Sequence, residues 1–184
     1  MAGETGGGKL AGLVQGAVMA ATLSITQSEI YKDVRRYLLG LFPDCEVIQG
    51  YSNNVPLPNA PFILMNIIRE TEMNTQINEW RPSDGLADVT RSIEVAMQLD
   101  FYGVDSGRNV RVFSTLWRDF HACERLEVCR PLYTDEARYI PLTNEEQEFE
   151  ARWSITASLT CNPTVTHTQD FIEGASVSIN RIPS

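Results

Sequence analysis

The stretch Gln49-Gly-Tyr-Ser-Asn-Asn-Val-Pro-Leu-Pro-Asn-Ala-Pro-Phe62 places three prolines and three asparagines between two apolar runs. Proline fixes φ, has no N–H and pushes the preceding residue towards extended geometry, so the stretch predicts an ordered, extended connector. The residues that follow, Phe62-Ile-Leu-Met-Asn-Ile-Ile-Arg69, predict a strand. A rigid connector that leads into a long strand is typical of a protein that presents a shaped surface rather than a catalytic pocket.

Length and composition predict one globular domain. The chain has 184 residues, 43% of them hydrophobic and 21% charged, and a domain of this size buries about 70% of its unfolded surface. The formal net charge of −9 gives no basic footprint for nucleic acid. Four cysteines without C-x-x-C spacing predict reduced, partly buried thiols in a cytosolic setting. Two histidines supply little material for a metal site, and no cofactor motif is present.

Two patterns at the amino terminus imitate functional motifs. Gly3–Lys9 matches the first part of a phosphate-binding loop, but Leu10 stands where the Mg²⁺-binding Ser or Thr belongs, and no strand can precede residue 3. Leu10–Leu23 faintly resembles a secretory signal, yet Gln15 and the glycines weaken its apolar core, and it is too short to span a bilayer. We therefore interpret residues 1–23 as a flexible N-terminal arm that orders only against a partner.

The middle of the chain predicts a long β-hairpin. Phe62–Thr75 is typical of a strand, the turn signal Arg81-Pro-Ser-Asp-Gly85 follows it, and Val89–Phe101 then alternates with period two. The two runs are expected to pair antiparallel. The outer half, Thr71–Val89, has too few apolar residues to bury against a core of its own. A hairpin that projects without a core normally docks on another chain.

Helices are predicted before and after this hairpin. Thr26-Gln-Ser-Glu29 is a capping box that begins the first helix, Pro43 stops it, and Cys45–Gln49 predicts a short strand. A second helix is expected from Asp105 or Ser106 to about Glu124. Its apolar side is made by Val110, Phe113, Trp117 and Phe120.

The last strong element is a strand. Phe149–Cys161 alternates strictly, which predicts one buried and one solvated face, and Asn162-Pro163 ends it. The predicted fold class is therefore α/β, more narrowly α+β: a mainly antiparallel sheet with a long β-hairpin, flanked by two helices. Residues 24–165 are expected to form a single domain, and residues 166–184 a C-terminal extension that contributes to an interface. Within that extension Ala175–Ile179 alternates and is a candidate to cross to a neighbour.

No catalytic constellation is recognisable, so an enzyme is not expected. His121 and Cys123 are two residues apart on a predicted helix, where their side chains point about 200° apart and cannot form a nucleophile–base pair. The acidic run Asn144–Glu150 is interpreted as a solvated loop. Trp80, at the predicted hairpin tip, is the best candidate for an interface anchor because aromatic residues dominate interface hot spots. The only basic concentration is a helix face that carries Arg108, Arg111, Arg118 and Arg125.

The order of these elements is similar to that of a known protein family. A capped helix and a short strand precede Asn53-Asn54-x-Pro56-x-Pro58-x-x-Pro61-Phe62, and the long hairpin, Phe101-Tyr102-Gly103, a helix and a long alternating strand follow. Over about residues 25–165 the chain resembles the tail-terminator (neck-terminator, tail-completion) proteins of long-tailed bacteriophages. The resemblance implies a non-enzymatic virion component of α/β fold, assembled in the host cytoplasm. It also implies a homohexameric ring that caps the tail tube and joins it to the neck.

Such a ring implies specific contacts. The expected partners are further copies of the chain, the tail-tube protein, a neck or head-completion protein and, in contractile tails, the sheath, while DNA passes through without specific binding. A closed ring of identical subunits needs two different patches on each subunit. The interface hypothesis names Glu72, Met73, Ile77, Trp80, Arg81, Arg108 and Arg111. An acidic bore would let DNA slide, and the lumen hypothesis names Glu70, Glu72 and Glu79.

Two other functions stay open at this point. The chain could serve the same virion as a head-completion or stopper protein, or as a tail-tube subunit, which would stack into long polymers. It could instead be an exported β-rich binding module with residues 9–23 as its signal.

Overall fold

A computed structural model describes residues 20–50, 57–143 and 149–171. The helices are α1 (Gln27–Leu41), α2 (Ser106–Trp117) and α3 (Phe120–Arg125), with a short 3-10 helix at Pro82–Asp84. The strands up to the second helix are β1 (Thr22–Leu23), β2 (Glu46–Gln49), β3 (Phe62–Glu72), β4 (Ile77–Arg81), β5 (Leu86–Thr90) and β6 (Ile93–Tyr102). The later strands are β7 (Arg130–Thr134), β8 (Arg138–Tyr139), β9 (Leu142–Thr143), β10 (Phe149–Glu150), β11 (Arg152–Cys161) and β12 (Thr164–Thr168).

A six-stranded sheet, the main sheet, carries the core. Its order is β2-β3-β6-β11-β7, with β8 also on β11, and every pair is antiparallel except the parallel pair β2–β3. The helices cover one face of this sheet, where Trp117 lies with its ring 5.1 Å from that of Phe113 and donates its Nε1–H to the carbonyl of Ser158. The predicted α+β fold class with a mainly antiparallel sheet is confirmed, and a third helix is added to the expected two.

The first helix begins as the sequence predicts. The hydroxyl of Thr26 and the carboxylate of Glu29 form the capping box, and the Thr26 amide donates to that carboxylate at 2.6 Å. Leu41 is the last helical residue, two positions before Pro43. Helix α1 buries the apolar stripe Ile30, Val34, Tyr37 and Leu38.

A buried carboxylate ties α1 to a segment more than ninety residues later in the chain. Asp33 lies on α1 and accepts hydrogen bonds from the amides of Glu127 (3.0 Å), Val128 (2.8 Å) and Cys129 (3.0 Å). Arg36 adds a salt bridge of 2.6 Å to the same carboxylate. These bonds fix the segment that leads from α3 into β7, and they satisfy backbone donors that neither a helix nor a sheet pairs.

The single second helix is a wrong prediction, because the helix breaks after Trp117. Asp119 has an extended backbone and accepts the amide of His121 at 2.9 Å, so it caps a new helix, α3. Phe120 therefore leaves the apolar side on which it was expected and is 72% exposed.

The last strand is shorter than predicted, since Phe149–Glu150 pairs with Leu142–Thr143 instead. The prediction that its second face is solvated is also wrong, because Ser154 and Ser158 are buried. Strand β11 lies between β6 and β7, and the polar side chains of these strands cover one another. Ser158 donates to Glu94 at 3.1 Å, and Tyr133 on β7 donates to the same carboxylate at 2.8 Å.

Several predictions fall partly outside the described residues: the connector at 51–56, the acidic loop at 144–148, and the terminal segments 1–19 and 172–184. All four cysteines are free thiols. Cys45, Cys129 and Cys161 are buried and Cys123 is exposed. Burial raises the pKa of the Cys45 thiol, which suits a structural rather than a reactive cysteine.

Candidate assembly surface

Three neighbouring strands of the main sheet, β3, β6 and β11, are continued along the chain by strands of a second sheet. Strand β3 continues into β4 after residues 73–76, β5 continues into β6 through residues 91–92, and β11 continues into β12 after residues 162–163. The amide of Met73 donates to Ser92 (3.0 Å) and that of Arg91 to Pro163 (3.2 Å), so the three breaks are held side by side. The predicted hairpin therefore forms, but its outer half belongs to a separate four-stranded sheet.

We call this second sheet the distal sheet; its strand order is β1-β12-β5-β4, all antiparallel. At its tip β4 and β5 are joined by the 3-10 turn Pro82–Asp84 and by Gly85. The glycine has φ of 63°, a left-handed conformation that side chains disfavour. The turn predicted at Arg81–Gly85 is confirmed.

One face of the distal sheet is mainly apolar. The register places Leu23, Val165, Val89 and Asn78 in one row across the strands, with His167, Ala87 and Trp80 in the next row. Ala87 is fully buried, whereas Leu23 is 50% and Trp80 is 56% exposed. Phe171 packs edge-on against Trp80 with ring centres 6.2 Å apart. This apolar face is thus covered only in part by the described residues.

The opposite face is mostly polar. Asp88 accepts a hydrogen bond of 2.5 Å from Thr166 and a salt bridge of 3.0 Å from Arg81, and Thr90 contacts Thr164 at 2.7 Å through their hydroxyls. The Thr166 hydroxyl, followed by the Arg81 guanidinium, lowers the pKa of the Asp88 carboxyl. The carboxylate therefore stays charged and links β12, β5 and β4.

The predicted interface residues of the hairpin lie on both faces of the distal sheet. Trp80 is on the apolar face, whereas Ile77 (59% exposed) pairs with Thr90 and lies on the polar face. Arg81 is on that polar face too, in its salt bridge with Asp88, and Met73 (52% exposed) precedes β4.

Arg108 and Arg111 lie elsewhere, on the exposed side of α2. Within the described parts of the chain no ion pair involves either of these two arginines. The apolar face with Trp80 and the α2 arginines are thus two different patches of one subunit.

The three predicted lumen carboxylates are not on one face. Glu70 and Glu72 pair across the main sheet with Val95 and Ile93, on the face that the helices cover. Gln27 donates to Glu70 at 2.8 Å, and Arg91 forms a salt bridge with Glu72.

Glu79 lies on the polar face of the distal sheet, opposite Asp88 on the neighbouring strand. It is exposed, and no ion pair in the described ranges involves it.

Sequence reasoning missed the distal sheet's contributions from the two chain ends. Leu23, Val165 and Phe171 belong to its apolar face, but only the alternation around Val165 hinted at a strand. The pairing of Leu23 with Val165 joins positions more than a hundred residues apart, for which a single sequence carries no local signal.

The described residues contain no group of three or more His, Cys, Asp or Glu side chains arranged to hold a metal ion. None of the described helices is long and apolar enough to cross a membrane.

Comparison with known proteins gives one family. A family model described as "Phage neck terminator protein" matches residues 28–182, which takes in nearly all of α1, the other helices and every strand after β1. A search of curated proteins found no match. A match over this much of the chain means that the protein belongs to the phage neck terminator proteins, a family of structural proteins of the phage tail and neck.

Proposed function

We propose that this protein closes into a homohexameric ring that caps the last ring of the tail tube, stops tube growth and joins the tube to the neck. The family places it among the tail and neck proteins of a virion. The observation that carries the proposal is the apolar face of the distal sheet, whose Leu23 and Trp80 remain about half exposed on the isolated subunit. Exposed apolar surface of this kind, rimmed by polar residues, marks protein interfaces.

The ring needs a second, different patch, and α2 supplies a candidate. Arg108 and Arg111 stand one helical turn apart and are exposed. Arginine is enriched in protein interfaces because its guanidinium binds carboxylates in a bidentate manner. On a chain with a net charge of −9, two arginines without an ion pair in the described ranges are well suited to a neighbour's carboxylates. A contact between the distal sheet of one copy and α2 of the next is heterologous, as a closed ring requires.

Reversing one charge on α2 tests this contact. Arg111→Glu is expected to weaken self-association at least tenfold, about 1.4 kcal/mol for each contact, because like charges would then face each other. Lys32→Glu on α1 makes the same charge change on another exposed site and is expected to associate as the wild type does. Sedimentation velocity measures both variants. Equal association of Arg111→Glu and wild type would reject α2 as the second patch.

The shape of the assembly separates this proposal from the tail-tube alternative. A terminator is expected to give single rings in negative-stain images, whereas a tube subunit would give stacked tubes. The ring would assemble in the host cytoplasm together with the tube and neck proteins, and with the sheath if the tail is contractile.

Glu79 is proposed to line the bore through which DNA passes. Glu79 and Trp80 are adjacent on β4, and their side chains point to opposite faces of the distal sheet. If the apolar face with Trp80 packs against a neighbouring subunit, Glu79 therefore points away from that subunit. Of the three lumen candidates, Glu72 is paired with Arg91 and Glu70 is hydrogen-bonded by Gln27, so Glu79 supplies the charge that repels phosphate.

Glu79→Lys is therefore expected to make the ring hold DNA. Six lysines in the bore would add phosphate contacts, so binding of a short duplex should strengthen and its dependence on log[salt] should steepen. Fluorescence anisotropy at several salt concentrations measures this. Glu124→Lys on α3 is the control. Unchanged DNA binding by Glu79→Lys rings, or the same gain in both variants, would remove Glu79 from the bore.

A further inference from the structure

Two of the buried cysteines are neighbours on adjacent strands of the main sheet. Strand β11 pairs antiparallel with β7, and Thr160 lies opposite Arg130. One further step in the same register brings Cys161, the last residue of β11, opposite Cys129, which immediately precedes β7. Both side chains lie in the core that the helices cover. The fold thus places two thiols side by side on one face of the sheet.

The spacing of this pair suits a disulfide bond. Residues directly opposite each other on antiparallel strands have Cα atoms about 4.5–5.5 Å apart, and disulfides join Cα atoms about 4.4–6.8 Å apart. The Cys129 and Cys161 thiols are already hydrogen-bonded to each other. The two sulfur atoms can therefore bond without a rearrangement of the strands.

The other two cysteines have different surroundings. Cys45 is buried, and its sulfur accepts a hydrogen bond from the side-chain amide of Asn109 at 3.8 Å. Cys123 is exposed on α3. A buried cysteine by itself normally serves as a small apolar core residue, as Cys45 does. A contacting pair of thiols can in addition be oxidised to one bond within the subunit.

We propose that Cys129 and Cys161 form an oxidation site, at which a small disulfide oxidant such as oxidised glutathione produces an intrachain disulfide. Cys161 is the attacking group, because the hydrogen bond from the Cys129 thiol lowers the pKa of Cys161, whereas that bond and burial raise the pKa of Cys129. The Cys161 thiolate bonds to one sulfur of the oxidant and releases the first thiol. Cys129 then loses its proton, attacks the Cys161 sulfur and displaces the second thiol. The protein loses two hydrogens, and the oxidant is reduced to two thiols.

The bond would reinforce a part of the main sheet that has few ladder hydrogen bonds to rely on. Strand β7 lies at the end of the sheet order, and its Pro131, opposite Leu159, has no amide to donate. The register also shifts between Ala157 and Leu159. A disulfide from residue 129 to residue 161 would hold the start of β7 on the end of β11 and would restrict the unfolded chain.

Oxidation would follow release of the virion from the host cell. Thiols are kept reduced in the cytosol, so a chain that assembles there would fold with both thiols free, and the virion would meet an oxidant only outside the cell. This timing rests on the proposed function. The bond itself forms within one subunit and does not depend on a ring.

Thiol counting on the purified full-length chain tests the pair. The substitution Cys123→Ser removes the exposed thiol, and the protein is then incubated with excess oxidised glutathione. We expect it to lose two of its three remaining thiols and to yield a linked peptide that contains Cys129 and Cys161. The Tm of the oxidised form should exceed that of the reduced form by at least about 4 °C.

Further substitutions in the Cys123→Ser chain make the assignment specific. Cys45→Ala is the matched control, since it removes a buried thiol outside the pair, and the linked peptide and the rise in Tm should both persist. Cys129→Ala and Cys161→Ala should each abolish both. Circular dichroism reports that each variant is folded, and the oxidised and reduced forms of the unsubstituted pair are compared without any change in the core.

Three results would overturn the proposal. All three thiols could stay free under conditions that fully modify Cys123 in the wild-type chain. Glutathione could remain on Cys161 as a mixed disulfide, which would mean that Cys129 does not reach it. The bond could form and lower the Tm, which would mean that the native strands must distort to accept it. None of these results bears on ring assembly, and a protein that forms no rings could still form the bond.

Discussion

Asp33→Ala is expected to lower the free energy of unfolding by about 3–5 kcal/mol, a large part of the 5–15 kcal/mol typical of a domain. The carboxylate is buried and accepts the amides of Glu127, Val128 and Cys129. Alanine would leave these donors without partners and would free the segment that leads into β7. A loss of this size corresponds to a fall in Tm of roughly 6–20 °C for a chain of this length.

Two further variants make this prediction specific. Asp33→Asn keeps one oxygen acceptor but loses the charge, and it should fall between wild type and alanine. Asp44→Ala removes an exposed carboxylate from the same part of the chain and should change stability by less than about 0.5 kcal/mol. Urea unfolding followed by circular dichroism measures all three. An Asp33→Ala protein as stable as Asp44→Ala would show that the amides find other partners.

Trp80→Ser is expected to weaken self-association at least about 30-fold, which is about 2 kcal/mol for each contact. The large exposed ring on the apolar face is the kind of side chain that dominates interface energy. The monomer should stay folded, because Trp80 lies on the distal sheet and not in the core of the main sheet. Sedimentation velocity gives the association constant, and circular dichroism reports the fold.

A deletion and a matched substitution support that experiment. Met73 and Ser92 are already hydrogen-bonded neighbours, so replacing residues 74–91 with Asn-Gly closes the hairpin with a tight turn and removes β4 and β5. This variant should remain monomeric at concentrations where the wild type assembles. Phe120→Ser removes an even more exposed aromatic residue from α3 and should assemble normally. Normal rings from the deletion variant would exclude the distal sheet from the interface.

Local signals predicted those parts of the fold that local interactions determine. The capping box at Thr26 and Glu29 placed the start of α1, and the alternation of Val89–Phe101 predicted the pairing of β6 with β3. Asp119 is a residue type that favours a helix N-cap, and it signals the break between α2 and α3. The regular spacing of apolar residues through Phe120 nevertheless predicted one continuous helix. Periodicity alone does not distinguish one helix from two when the apolar residues keep their spacing across the break.

Long-range features could not be predicted in the same way. Asp33 meets backbone amides more than ninety residues away, and no side-chain pattern marks a carboxylate that will accept them. The distal sheet depends on β12, where Val165 is the only strongly apolar residue, and its pairing with β5 follows from the neighbouring pair β11–β6. The candidate surface was therefore located at Trp80, while its continuation to Leu23 and Phe171 required the folded chain.

Cryo-electron microscopy of the purified full-length protein at high concentration tests most directly whether this subunit assembles through its distal sheet. We expect single six-fold rings in which the apolar face with Leu23 and Trp80 is buried against the neighbouring subunit and Glu79 faces the bore. Monomers at every concentration, or rings whose subunit boundaries leave the apolar face in solvent, would contradict the account.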